Sequence, residues 1–304
     1  MQTRDIQILT LSSPGYPRLL REIHDPPPVL YVKGTLLSED EAAVAIVGTR
    51  SATPYGLTHA RLFGEELARC GITVVSGLAE GIDREAHEGA LNAGGRTIAV
   101  VGHGLAMVYP PHHRELAERI AKSGCIISEF PMEEKPNPWN FPKRNRIISG
   151  LSLGTLVVEA PLKSGALITA RNAMEQGREV FAMPGPISSR QSEGTHALLK
   201  DGAKLVCKVQ DILEELAPHL KDHLKRYDVP NGPSVRRTGV DLNRGLTGEE
   251  SQVFQAVPVG SAAGLEAIAQ ATALQPARIM SVLTVLELKG LVQQTLGRGF
   301  SRAS

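Results

Sequence analysis

Short, unbroken apolar runs recur through the first two thirds of the chain, at 44–47, 73–75, 97–101, 125–128, 155–158, 180–183 and 204–206. Continuous rather than alternating runs mark parallel strands covered on both faces. Between them lie helical patterns at 56–69, 84–92, 114–122, 166–176 and 195–200. Gly71, Gly94, Gly95, Gly124, Gly177 and Gly202 punctuate the junctions, which suits helix C-caps. Repeated strand–helix alternation predicts an α/β fold with a doubly wound, mainly parallel sheet. Ligands on such sheets bind at the carboxyl ends of the strands.

Residues 1–216 form this domain, with 1–42 as an N-terminal extension. Its segment Val29-Leu30-Tyr31-Val32-Lys33-Gly34, after Pro26-Pro27-Pro28, reads as a short strand added at the sheet edge. Residues 217–245 are polar, with Pro218, Pro230 and Pro233, and read as a linker. Residues 246–304 read as a small winged-helix domain. Thr247 and Glu250 suggest a capping box, 265–272 a second helix, and Pro276 the start of a third running to about Lys289. Ile279, Val282, Leu283 and Leu286 share a face of that third helix. A hairpin at 291–295 and 299–302 follows. Arg278 and Lys289 leave the third helix few groups that read base edges, which favours a protein contact over major-groove reading.

Net charge is only +1, from 33 Lys+Arg against 32 Asp+Glu, so any nucleic-acid role needs a local basic patch. Cys70, Cys125 and Cys207 form no CxxC and read as small core residues in a reducing compartment. No signal-peptide pattern and no apolar stretch of about 20 residues appears, which predicts a cytoplasmic protein without a membrane span.

Four segments carry candidate chemistry. The strand running into Gly48-Thr49-Arg50-Ser51 ends in a polar turn before a helix, a cradle for anions in which Arg50 can pair with a phosphate. It is neither GxGxxG nor GxxxxGK[ST], so neither a dinucleotide nor a Walker-type triphosphate is favoured. Ser76-Gly77-Leu78-Ala79-Glu80-Gly81-Ile82-Asp83 lets backbone approach closely at Gly77 and Gly81, with Asp83 read as an N-cap. Phe141-Pro142-Lys143-Arg144-Asn145-Arg146 places three cations and an amide behind an aromatic ring, directly before an apolar helix. Phe141, or Trp139 as second choice, offers a stacking face worth about 1–3 kcal/mol per base. Lys143, Arg144 and Arg146 suit salt-sensitive phosphate contacts, and Asn145 suits a phosphate or a base edge. The fourth segment is Lys163-Ser164-Gly165, a second anion-compatible helix start after a strand ending in Glu159. His112-His113 finds no carboxylate or thiol at metal-ligand spacing and reads as a helix-entry loop. No nucleophile–base pair stands out, and no cofactor is implied.

Taken in order, these segments resemble the DprA/Smf family, the DNA-processing proteins of bacterial transformation. The pieces are Asp25-Pro26-Pro27-Pro28-Val29-Leu30-Tyr31, Val47-Gly48-Thr49-Arg50, Ser76-Gly77-Leu78-Ala79, 141–150, 164–170 and Met183-Pro184-Gly185. The resemblance covers 16–212. It implies an extended Rossmann-like domain that binds single-stranded DNA without known catalysis, works as a homodimer, protects incoming DNA and helps load the RecA recombinase. It matches Arg50 to a phosphate contact, Phe141 to the aromatic beside the DNA, and 143–146 to the basic run. Three departures stand out. The family's helical N-terminal domain is absent, Glu80 stands where a basic or neutral residue is expected, and Thr49 replaces Ser. A rival in the same fold branch is a phosphoribohydrolase of the LOG type, similar around Gly154-Thr155 and Glu159. That type carries a Pro-Gly-Gly run where this chain has Leu151-Ser152-Leu153. An adaptor acting through its winged helix is a third reading. Leu198-Leu199 is either a dimer patch or core.

Overall fold

A computed structural model describes residues 6–224, 248–258, 263–272, 274, 279, 282–283, 286, 292–295 and 299–302. The chain divides into two compact units, Met1–Asp228 and Val229–Ser304.

The first unit runs β1 (Ile6–Thr10), α1 (Arg18–Arg21), β2 (Val29–Gly34), β3 (Ala43–Val47), α2 (Pro54–Arg69), β4 (Thr73–Ser76), α3 (Ile82–Asn92), β5 (Thr97–Val100), α4 (Arg114–Ser123), β6 (Cys125–Ser128), α5 (Asn140–Gly150), β7 (Gly154–Val157), α6 (Gly165–Glu175), β8 (Glu179–Ala182), α7 (Glu193–Lys200), β9 (Lys204–Leu205) and α8 (Val209–Leu224). The sheet order is β1-β2-β6-β5-β4-β3-β7-β8-β9. β3 to β9 pair in parallel, while β1 and β2 add antiparallel on β6. The expected doubly wound sheet is therefore present. β2 lies one place in from the edge, because β1 pairs outside it.

Alternate residues of β3 enter opposite cores, as the pleat requires. Ala43, Ala45 and Val47 join α5, α6 and α7 on one face. Val44 and Ile46 join α2, α3 and α8 on the other. Covering both faces is why these strands read as unbroken apolar runs. Leu198 is buried in the first of these cores and is core rather than an exposed patch, while Leu199 packs against it half-buried. Gly71, Gly94, Gly177 and Gly202 each follow a helix's C-cap residue with φ of +76°, +70°, +67° and +100°, the left-handed stop expected of a terminating glycine.

α8 runs to Leu224 with Pro218 inside it, and Leu216 and Leu220 are buried. The helix thus overrides the proline-based linker start at 217. Proline tolerates a helix when the turn around it gains enough from packing. The remaining linker residues, with Pro230 and Pro233, lie outside the described residues.

In the second unit, α9 (Gly248–Ala256) and α10 (Leu265–Thr272) accompany a small sheet ordered β10-β12-β11, with β10 (Ala263–Gly264), β11 (Val292–Thr295) and β12 (Gly299–Arg302). Val253, Phe254, Ile268, Ile279, Val282, Leu283, Leu286 and Phe300 form its core. The expected hairpin is β11–β12, antiparallel. Thr247, Pro276, Arg278 and Lys289, and the Glu250 side chain, lie outside what is described. No helix among the described residues is long and apolar enough to cross a membrane.

One buried polar group makes the first unit acid-sensitive. The Thr97 hydroxyl donates to the Val74 carbonyl (2.8 Å), so the fully buried His87 donates from Nδ1 to the Thr97 oxygen (2.7 Å). Its Nε2 has no partner. Burial pushes this imidazole down to about 3, helped by the charge of Arg144. The unfolded chain takes up this proton near the ordinary value of about 6.5, and the folded chain does not. Stability contributed here is complete above about pH 6.5 and drains away as pH falls towards 3, by up to about 1.4 kcal/mol per pH unit. His87→Gln is expected to flatten the stability profile between those limits in urea titrations, whatever its effect at neutral pH. Parallel profiles would refute the assignment.

Candidate functional site

A crevice opens where the strand order reverses. β3 and β7 are neighbours, but the chain leaves β3 towards β4 on one side and β7 towards β8 on the other. The loops that follow diverge, and a cavity of about 580 Å³ remains between them. It is lined by the loop after β3, the start of α6 and the first half of α5.

The first wall is Gly48-Thr49-Arg50-Ser51. The Thr49 amide donates to the Glu159 carbonyl (2.8 Å), and the Ser51 amide donates to the Thr49 hydroxyl (3.2 Å). A Cβ at Gly48 would overlap Ile82 and the Glu159 carbonyl, so only glycine allows the two loops to approach. Arg50 is exposed and lays its guanidinium over the Phe141 ring, 5.2 Å from the centroid.

Glu159 ties this wall to the next. Its buried carboxylate accepts from the Thr53 amide (2.9 Å) and the Thr53 hydroxyl (2.6 Å), while that hydroxyl oxygen caps α2 by accepting from the Gly56 amide (3.2 Å). Thr53 escaped the sequence reading, although a threonine directly before a proline at a helix start is an N-cap signal. The second wall is the start of α6. The Ser164 hydroxyl accepts from the Ala166 amide (3.2 Å), and Ser164, Gly165 and Ala166 line the cavity there. The positive end of the helix dipole lies at this wall. Lys163 beside it is exposed.

The basic run forms the third wall, but not as a row of exposed cations. α5 already begins at Asn140, so the run lies within its first turns. Helical phase then divides it. Arg144 falls on the face of Ile147, Ile148 and Leu151 and is only 4 % exposed. Its Nη1 donates to the carbonyls of Gly77 (2.8 Å) and Val100, at the ends of β4 and β5. Burial pulls this guanidinium down to about 10, against the opposing charge of Asp83. Arg146 pairs with both Glu129 oxygens (2.7 Å each) and with Asp25 (3.1 Å). Asn145 donates from Nδ2 to the Gly165 carbonyl (3.1 Å), joining the second and third walls. Lys143 is exposed but outside the cavity lining.

Further expectations are corrected. Asp83 is not the N-cap of α3. Gly81 holds that position, and the Asp83 carboxylate instead accepts from the amides of Gly77 (3.1 Å) and Ala79 (3.4 Å). Burial pushes this carboxyl up, while Arg144 and those amides pull it back. Gly77 is buried and takes no part in the lining; a side chain there would overlap Arg144 and Asp83. Phe141 is half-buried, with Arg50 and Arg144 near its ring and Tyr109 at 6.1 Å. The most exposed aromatic ring near the crevice is Trp139, 77 % exposed but outside the cavity lining, while Tyr109, 42 % exposed, lines the cavity itself. The neighbours of Trp139, Pro138 and Phe141, line the cavity. Glu80 reaches both His112 and His113, so a carboxylate does complete that group. The sequence concealed it because Glu80 follows β4 and the histidines follow β5, and only strand pairing brings them together.

The arrangement is that of a doubly wound α/β domain with a small second domain. Residues 7–217 match the family model described as DNA recombination-mediator protein A, and 240–298 match the DprA winged helix domain. The chain is 40% identical over 324 aligned residues to Protein Smf of Synechocystis, covering 99% of this chain and 81% of that protein. Its structure is similar to the X-ray structure of DNA processing protein A from Streptococcus pneumoniae, with TM-score 0.67, 42% identity, and 70% and 75% of the two chains covered. It is also similar to DNA processing protein A from Helicobacter pylori, whose structure concerns a single-stranded DNA binding mode, with TM-score 0.62, 33% identity, and 70% and 97% covered. The chain belongs to the DNA recombination-mediator protein A (DprA/Smf) family.

Arg144 therefore has a structural consequence that can be measured. Arg144→Met removes a buried cation that holds two strand-end carbonyls and faces Asp83. It is expected to cost about 3 kcal/mol of stability. The urea midpoint should fall accordingly, and a midpoint within error of wild type would contradict the buried role.

Proposed function

We propose that the crevice binds single-stranded DNA, with phosphates at Arg50, Lys163 and the α6 N-terminus and a base stacked on Trp139. The observation that carries this reading is the convergence of three walls at the strand-order reversal. Two of them present anion donors: the Gly48–Ser51 turn with Arg50, and Lys163-Ser164-Gly165 at a helix start. Among the described residues neither Arg50 nor Lys163 is in an ion pair, so both cations can serve a ligand. Gly48, Thr49 and Ser51 shape the turn, Lys143 extends the charge outside the cavity, and Gly77, Phe141, Arg144, Asn145 and Arg146 hold the walls in place. The H. pylori relative's single-stranded DNA binding mode supports the same ligand class.

The site is read as a binder rather than a reaction centre. Glu159, the carboxylate on which the phosphoribohydrolase reading leans, is 2 % exposed and committed to Thr53. Within the cell the reading is a homodimer in the cytoplasm that takes up single strands in natural transformation, protects them and hands them to the RecA recombinase. The family membership supports this part.

Arg50→Ala and Lys163→Ala should each weaken oligonucleotide binding about tenfold. Each should lower the slope of log K against log salt by about 0.7, the share of one phosphate on a single strand. RecA filament nucleation should fall in parallel. Unchanged affinity and slope in both variants would sink the site. Trp139→Ala should cost about 1–3 kcal/mol of affinity for single strands and much less for duplex, read by fluorescence anisotropy. Equal losses for both would remove the stacking face.

A further inference from the structure

At the rim of this crevice stands a group that the DNA reading leaves unused. Glu80 lies in the loop between β4 and α3, and His112 and His113 lie in the 3₁₀ turn Pro111–His113 that leads into α4. β4 and β5 are parallel neighbours, so both loops emerge at the same edge of the sheet. Ala79 and Tyr109 of these loops line the crevice.

Within the group, one ligand atom from each of Glu80, His112 and His113 lies within 4.8 Å of the others. His112 Nε2 contacts Glu80 Oε1, and His113 Nε2 stands 3.4 Å from Glu80 Oε2. The tautomer of His113 follows from its surroundings. Its Nδ1 faces the Leu78 carbonyl (3.1 Å), which only accepts, so Nδ1 carries the proton. That leaves the lone pair of a neutral ring at Nε2. This atom is buried in a side chain 3 % exposed, makes no hydrogen bond, and is aimed at a carboxylate. Two electron-rich atoms facing each other need a cation between them. A proton on the ring is one solution, and a metal ion is the other. The second nitrogen bound to a backbone carbonyl is the support that fixes a metal-ligating imidazole.

We propose that Glu80, His112 and His113 form a binding site for a divalent transition-metal ion, with Zn²⁺ as the best fit. Two imidazoles and one carboxylate are a zinc donor set that leaves a fourth position open. Bonds of about 2.0–2.1 Å at tetrahedral angles separate ligand atoms by about 3.3 Å. The His113–Glu80 distance of 3.4 Å matches, while the exposed His112 ring, now in contact with Glu80 Oε1, has to draw back to admit the ion. A bound Zn²⁺ turns the one negative charge of Glu80 into a net positive centre with a coordination position free for water or a phosphate oxygen. That last consequence rests on the DNA reading, whereas the metal site itself does not.

The test uses the full chain stripped with a chelator, titrated with Zn²⁺ against a chromophoric competitor. Wild type should bind one equivalent at micromolar affinity or tighter. Glu80→Gln and His112→Asn, both at accessible positions, should each weaken it about tenfold or more. Cobalt(II) should give visible d–d absorption in wild type that is lost in Glu80→Gln. Zinc binding that both variants retain, or none in wild type, would overturn the site and leave an ion pair. Saturating Zn²⁺ should also tighten single-stranded DNA binding in wild type and not in Glu80→Gln. Zinc binding without that gain overturns the coupling alone. Loss of zinc in Glu80→Gln together with normal DNA binding in both Arg50→Ala and Lys163→Ala would remove the DNA reading and keep the metal site.

Discussion

The reversal of strand order between β3 and β7 is the constraint on which the site depends. Right-handed crossovers place α2 and α3 on one face of the sheet and α5 and α6 on the other. No crossover can then fill the space above the carboxyl ends of β3 and β7, and a crevice is left between the diverging loops. Such a gap would let the two halves splay. Glu159 opposes this by joining the end of β7 to the cap of α2 through both Thr53 donors. Asn145 does the same between α5 and the first residue of α6. These are polar ties in a protected setting, where a satisfied hydrogen bond is strong and a broken one costly.

The same logic separates the cations by partner. Arg144 and Arg146 sit two residues apart, yet one holds two strand ends from inside and the other is locked to Glu129 and Asp25. A guanidinium already bonded to carboxylates or carbonyls gains little from a phosphate, because it must first give those bonds up. Arg50 and Lys163 have no such commitment. A chain with a net charge of only +1 thus pairs off the cations that build the walls and leaves Arg50 and Lys163, which line the cavity, outside any ion pair among the described residues.

The fold was largely legible because its signals are local. Apolar runs such as 97–101 and 125–128 and glycines such as Gly71 and Gly177 follow from burial on both faces and from left-handed helix ends. β1 was missed because Ile6–Thr10 buries only Leu9, which is too weak a pattern for a strand. The site was legible as segments but not as roles. The run 141–146 reads as a charged approach to a helix until one knows that α5 starts at Asn140. The helix starts seven residues earlier than that reading, so Arg144 stands three and four residues before Ile147 and Ile148 and shares their buried face. Arg144 then turns from a surface cation into a core one.

The group least legible of all, Glu80 with His112 and His113, shows what single-sequence motif reading cannot reach. Metal-ligand spacings are recognisable when ligands share a helix or a turn, as in a pair four residues apart. Here the carboxylate and the imidazoles come from consecutive strand ends, and their separation in sequence is set by α3 and β5, which have no chemical relation to the ligands. What links them is the parallel register of Val74 with Thr97 and of Ser76 with Ala99. Doubly wound sheets make such meetings common, because every parallel strand delivers its next loop to the same edge. The residues to pair in such a fold are those in the loops that follow neighbouring parallel strands, whatever the lengths of those loops.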